Sequence, residues 1–251
     1  MLQTLLNDEL WLKLKPILLD LNIYDKPNLR IIFTGILYRM KTGCPWRYLP
    51  DCFGKCNTVF KAFRRWSKSE KFMQLFKITI QEPDMEWVSI DGSHVRAHQS
   101  STSDGCADYQ GIAKSAGGNS SKIHLAVDSH GNPLDFLITD GVTHDIKVAP
   151  MLVSLLDLSK TELINADKGY DSEELRDLIS SSDTHPNIPR KKNSKLGNSH
   201  MDWHIYKARH VVENTFAALK HFRGIATRFD KLKNSYESNV ALACAYIWLK
   251  F

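Results

Sequence analysis

Apolar residues recur at helical spacing through the first 80 positions. Leu10, Leu14, Ile17, Leu18 and Leu21 fall on one face of an amphipathic helix, with Pro16 as a point of kinking. A second helix is predicted from about Asn28 to Lys41, with Gly43 just past its end as a stop signal. A third is predicted to begin after Asn57, a good N-cap, and to turn Val59, Phe60, Phe63 and Trp66 inward. Its other face carries Lys61, Arg64, Arg65 and Lys68. Three short helices with a basic last one fit a helix-turn-helix module. They also fit an ordinary bundle with a solvated basic face.

Beyond residue 80 the period changes. Trp87, Val88 and Ile90 make a short apolar strand that leads into Asp91-Gly92-Ser93. Residues 100–121 are rich in Ser and Gly and read as a long loop. Ile123, Leu125 and Val127 alternate, Gly131-Asn132-Pro133 turns the chain, and Leu134–Thr139 resumes strand character, which together predict a hairpin. Asp145 is placed to cap a helix running through Leu158. Leu163–Ala166 is a short strand ending at Asp167, and Ser172 opens a helix through Ile179. A basic run, Arg190-Lys191-Lys192 with Lys195, follows in a polar segment, and helices are predicted over about 202–222 and 235–250. The expected class is α/β, a mixed sheet with flanking helices, preceded by a small all-α domain. The expected division is a helical domain over 1–80 and a mixed domain over 86–251.

Charge sharpens this division. Residues 1–80 hold 14 Lys and Arg against 6 Asp and Glu, and the rest of the chain holds 19 against 22. A basic front end beside a slightly acidic remainder suggests a polyanion-binding module joined to something that needs carboxylates. The five cysteines, Cys44, Cys52, Cys56, Cys106 and Cys244, are odd in number and unevenly spread. That argues against a disulfide framework and for scattered buried thiols in a reducing compartment. Cys44, Cys52 and Cys56 lack a nearby fourth ligand for a zinc site. Met1–Leu10 has acidic residues where a secretory leader is basic, and no stretch reaches the length of a membrane span, so a soluble protein is expected.

Asp91 and Asp167 share one context, each ending a short apolar strand before a small or Gly-containing turn. Functional groups collect at the carboxyl ends of strands in α/β sheets, although a lone aspartate there also serves as a turn former. Tyr206, Arg209, Glu213 and Lys220 are spaced to lie within roughly 60° on one helix about 21 Å long. Ala208, Val211, Val212, Thr215, Leu219 and Phe222 cover the opposite side. Spacing alone fits equally a surface helix with an Arg209–Glu213 ion pair.

The pattern Tyr-x2-Arg-x3-Glu-x6-Lys, present as Tyr206-Arg209-Glu213-Lys220, resembles the signature of a large group of bacterial insertion-sequence transposases of the DDE type. The resemblance extends to SIDGSHVRAH around Asp91, KIHLAVDSHGNPL in the hairpin, ADKGYDS around Asp167 and RHVVENTFAALKHFRGIATRFDK around Glu213. YRMKTGCPWRYLP is similar to a segment of the group's N-terminal helical domain, so nearly the whole chain is covered. The resemblance implies a ribonuclease-H-like fold with Asp91 on the first strand, Asp167 on the fourth and Glu213 on a later helix. It implies two Mg²⁺ or Mn²⁺ ions per active site, bridged by Asp91 and each held further by Asp167 or Glu213. Two such ions stabilise the attacking and leaving oxygens of a phosphodiester displacement. Tyr206, Arg209 and Lys220 would contact DNA phosphates near the scissile bond. Lys61, Arg64, Arg65 and Lys68 would bind DNA from the front end. The implied partners are double-stranded DNA, as element terminal repeats and target, and a second copy of the chain. The implied setting is the bacterial cytoplasm at the nucleoid. Only 45 residues separate Asp167 from Glu213, which leaves little space for a large inserted domain.

Two other classes compete. A DNA-binding protein without catalysis needs no intact acidic set, and all three acids are present. A sugar hydrolase using two of the carboxylates leaves the basic front end without a role. His94, Arg96 and His98 alternate on a strand and read as exposed polar positions, while Asp128, Asp140, Asp145 and Asp171 read as turn and capping residues.

Overall fold

The Asn7 side chain accepts the Leu10 N–H at 2.8 Å and so starts the first helix, α1 (Asp8–Asp20), which runs through Pro16. In this computed structural model residues 5–102, 110–115, 117–192 and 194–250 are described. The chain divides into two compact units, residues 1–81, 96–110 and 219–251 forming one and residues 82–95 and 111–218 the other.

The first unit is helical. α2 (Leu29–Thr42) ends at Gly43, whose φ of +69° makes it the left-handed cap expected of glycine there. α3 (Cys56–Lys68) begins one residue before Asn57, with Lys55 at its cap position. The Asn57 side chain therefore does not cap, because the turn at Gly54 and a bond from the Thr58 N–H to the Lys55 carbonyl have already set the start. α4 (Lys71–Thr79) follows. Residues from late in the chain complete the unit, namely α9 (Arg223–Ala226), β7 (Thr227–Arg228) and α10 (Lys233–Leu249). α10 packs against α1, α3, α4 and α9 and is buried nearly all round, from Ser235 and Tyr236 to Trp248. Its interior holds an ion pair from Arg39 to Asp230, at 3.1 and 3.2 Å, with Asn239 also donating to Asp230 at 2.9 Å. Both charged side chains are almost wholly buried, so removing either would strand the other.

The second unit is a mixed sheet with helices. Its strands are β1 (Trp87–Ala97, of which residues 87–95 lie here), β2 (Ala113–Ser115), β3 (Gly118–Val127), β4 (Pro133–Asp140), β5 (Leu163–Asn165) and β6 (His185–Asn187). β3 and β4 form the expected antiparallel hairpin, and Asp128 closes its turn by accepting the N–H groups of His130 and Asn132. β1 lies between β3 and β5, and β5 and β6 run parallel to it in succession. A hairpin on one side of a central strand and parallel strands on the other is the ribonuclease-H-like arrangement. The Asp167 strand is the fifth rather than the fourth because the short β2 precedes the hairpin. The helices are α5 (Asp145–Ser154), α6 (Glu173–Ser180), α7 (Trp203–Lys207) and α8 (His210–Lys220). Val88, Ile90, Ala126, Leu152, Ile164, Leu175 and Ile179 meet in the core.

Three expectations change. β1 continues through Asp91 to Ala97, so Asp91 sits within a strand and not at its end. α5 stops at Ser154, not Leu158. The helix predicted over 202–222 is broken at Ala208 and Arg209, where Ala208, Arg209, Val211 and Val212 bond to carbonyls three residues back instead of four. Among the described residues Cys244 is buried, Cys44 and Cys56 are half-buried, Cys52 is exposed, and none of the four is in a disulfide. Cys106 lies outside the described residues. No described helix is long and apolar enough to cross a membrane.

Candidate active site

Parallel pairing of β1 with β5 sets Trp87 against Leu163, Val88 against Ile164 and Ser89 against Asn165. Asp91 lies two residues past Ser89 on β1, and Asp167 two residues past Asn165, just beyond the end of β5, near enough for its charge to act on Asp91. The Asp91 carboxylate accepts the Gly92 N–H at 2.8 Å and the Arg209 guanidinium at 3.3 Å. Burial pushes its carboxyl above the ordinary aspartate range, and the neighbouring Asp167 and Asp145 charges add to that, against the opposing pull of Gly92 and Arg209. Asp167 caps the short turn that follows it, accepting the Gly169 N–H at 2.6 Å.

Arg209 stands at the break between α7 and α8. One of its nitrogens reaches Asp91 and the other reaches Glu213 at 2.6 Å. Glu213 itself is about half exposed. Tyr206 stacks edge-on with Trp203, ring centres 5.6 Å apart. The structure thus groups Asp91, Asp167, Arg209 and Glu213 in the second unit. Lys220, on the last turn of α8, belongs to the first unit, and burial lowers the pKa of its ammonium. Lys61, Arg64, Arg65 and Lys68 also lie in the first unit, all exposed along one face of α3. His94, Arg96 and His98 are exposed along β1 and just past it, as read from their alternation.

Sequence reasoning missed the part played by Asp145. It was read as a helix cap, but His144 holds the cap position and Asp145 turns inward. Lys122 donates to it at 2.8 Å, and Nδ1 of His124 lies 3.1 Å from its other oxygen, an ion-pair distance without hydrogen-bond alignment. Burial alone would raise the Asp145 carboxyl, but His124 and Lys122 outweigh it and hold the pKa down to about 2. A Cβ on Gly92 would lie 2.1 Å from that carboxylate, so any larger residue there would have to displace it. The signal was present in the hairpin, where Lys122 and His124 alternate with Ile123 and Leu125 on a strand buried on both faces. Tyr170 is buried near the same carboxylates, and they and its burial raise its phenol. Its hydroxyl has no hydrogen-bond partner among the described residues.

Carboxylate oxygens are hard donors suited to Mg²⁺ or Mn²⁺. Asp91, buried beside like charges and only partly offset by Arg209, fits a cation. Among the described residues, no three His, Cys, Asp or Glu side chains are gathered closely enough to hold an ion.

Strand order and neighbouring carboxylates together define a ribonuclease-H-like protein with an acidic site at its central strands. Residues 82–248 match the model of the "Transposase DDE domain", and the chain belongs to that family of DNA phosphoryl-transfer enzymes, which generally uses divalent metals. Residues 6–76 match a second model, described as "Putative transposase of IS4/5 family". The chain is 35% identical over 134 residues to "Putative transposase for insertion sequence element IS6501" of Brucella ovis, across 51% of this chain and 98% of that protein. It is 33% identical over 129 residues to "Transposase for insertion sequence element IS1106" of Neisseria meningitidis serogroup B, across 49% of this chain and 44% of that protein. A solved structure, "Mos1 transposase paired-end complex with left transposon end", aligns over 80% of this chain and 82% of that one. The alignment has a TM-score of 0.29 and 9% sequence identity.

Proposed function

We propose that this chain binds the terminal repeats of its element and catalyses metal-dependent DNA cleavage and strand transfer. The observation that carries the reading is the closeness of Asp91 on β1 to Asp167 just past the neighbouring parallel strand β5, with Arg209 linking Asp91 to Glu213. Asp91, Asp167 and Glu213 would hold the two Mg²⁺ or Mn²⁺ ions. When bound, the ions stabilise the attacking and leaving oxygens of an in-line displacement at phosphorus. Tyr206, Arg209 and Lys220 would each contact DNA phosphates. The basic face of α3 holds duplex DNA through its phosphates. Two element ends are brought together by two copies of the chain.

Incubation with the DNA ends flanking its own gene tests this reading. Nicks at the terminus are expected with Mg²⁺ or Mn²⁺, and Ca²⁺ should support binding with little turnover because its coordination is larger and looser. Full cleavage in excess chelator would overturn the assignment.

A further inference from the structure

Residues 188–192 and 194–201 lie in the connection between β6 and Asp202, the cap of α7. The neck of this strap is closed by Asn187 and Asp202, which bond reciprocally through backbone and side chain at 2.9 and 3.0 Å. Asn187 also donates to Asn165 at 2.8 Å, and Asn165 lies two residues before Asp167. Asp202 in turn caps α7, the helix that carries Tyr206, by accepting the His204 and Ile205 N–H groups. The neck is therefore built into the elements on both sides of the acidic site.

The body of the strap is fastened as well. Asp171, four residues after Asp167, accepts the Lys191 N–H at 2.8 Å and Arg176 at 2.9 Å, and Arg176 donates to the Ile188 carbonyl at 2.6 Å. Arg190 pairs with Glu173, and its N–H donates to the Asn198 side chain at 2.8 Å. A loop held at this many points is a shaped surface, not a tether. Residues 184–201 hold Arg190, Lys191, Lys192 and Lys195 and no acidic residue. The tethers engage Arg190 and the Lys191 backbone, and they leave Lys192 and Lys195 exposed with no ion-pair partner among the described residues. Such a site needs cations beside it, because its own carboxylates repel a phosphate backbone.

We propose that this strap is a DNA-backbone clamp in which Lys192 and Lys195 hold phosphates of the strand lying beside Asp167. The inference rests on the DNA phosphoryl-transfer reading above. Its ligand chemistry is the phosphodiester backbone, whether of the element end or of target DNA.

The test uses the full chain carrying Lys192→Gln and Lys195→Gln together, with Lys192→Arg/Lys195→Arg as the conservative control. Binding is measured against salt for two duplexes, one from the DNA flanking the gene and one of random sequence. Each lost phosphate contact removes about 0.9 from the slope of log affinity on log salt, so a drop of about 1.8 is expected, with affinity at least about tenfold weaker at 0.1 M salt. The Arg pair should restore both values. A drop on the flanking duplex alone places the strap on the element end, and a drop on the random duplex alone places it on target DNA. Unchanged slopes on both, in a wild-type protein that nicks its ends, overturn the clamp and leave the proposed activity standing. A wild-type protein that binds neither duplex and cuts nothing overturns both.

Discussion

Arg209 reaches Asp91 across 118 residues of sequence, Nη1 lying 3.3 Å from Oδ2, while its Nη2 is 2.6 Å from Glu213. One cation thus links two carboxylates from a strand and a helix. In the absence of metal it offsets part of the repulsion that burial and the neighbouring aspartates impose on Asp91.

That offset is incomplete, and the consequence is measurable. The folded-state pKa of Asp91 lies above its unfolded value, so the folded chain holds this proton more tightly. Stability is fully present below the unfolded pKa of about 3.9 and is lost as pH rises through the folded value. Asp91→Asn should therefore raise the Tm in metal-free buffer at pH 7, and the gain should vanish below about pH 4. The same change should reduce cleavage at least about 10²-fold. A lower Tm at pH 7 would show that Asp91 stabilises the fold rather than straining it.

Glu213 separates a surface ion pair from a working carboxylate. An exposed helical pair contributes only about 0.3–0.5 kcal/mol, so Glu213→Gln should leave stability nearly unchanged. DNA binding should persist while nicking of pre-bound ends falls by orders of magnitude. A double variant with Asp167→Asn should be little worse than either single change, because such groups act as a unit. Nicking at near wild-type rate would return Glu213 to the role of a partner for Arg209 alone.

Gly92→Ala should be costly through a side chain far away in sequence. The added methyl would meet the Asp145 carboxylate at 2.1 Å, and forcing an extra carbon into a packed site costs roughly 1–3 kcal/mol. Urea unfolding of Gly92→Ala, Asp145→Ala and the double variant forms a cycle. The two losses should not add, since removing Asp145 clears the space. Strict additivity would mean that the two sites do not touch.

The basic face of α3 makes a separate claim. Lys61, Arg64, Arg65 and Lys68 are all exposed, so changing the four to Gln in the full chain should leave folding intact. If they hold phosphates, the salt slope of DNA binding should fall by about 0.9 for each, or about 3.6 in all. An unchanged slope would make this an ordinary solvated face.

What was legible in the sequence was local. Gly43 ends α2 where a glycine cap belongs, and the alternation in β3 and the Gly131-Asn132-Pro133 turn made the hairpin readable. The apolar run before Asp167 appears as β5. What was not legible depends on partners distant in the chain. The register of β1 on β5 is a property of two strands, and neither alone encodes it. An aspartate before a helix reads as a cap until the buried Lys122 and His124 claim it. The break at Arg209 follows from a few carbonyls accepting one residue early, which side-chain periodicity does not register.

The burial of α10 also bears on the order of folding. The Tyr246 hydroxyl donates to the Leu5 carbonyl, a contact closed across 241 residues. At a synthesis rate of about 5–20 residues per second, roughly 10–50 s pass between the appearance of one partner and the other. Through that interval α1, α3 and α4 lack the helix that covers their apolar faces, while the second unit already has its strands at hand. The front-end helices are thus the part of the nascent chain most exposed to aggregation and to capture by chaperones. Their closure, the contact of longest range, should be the slow phase of refolding.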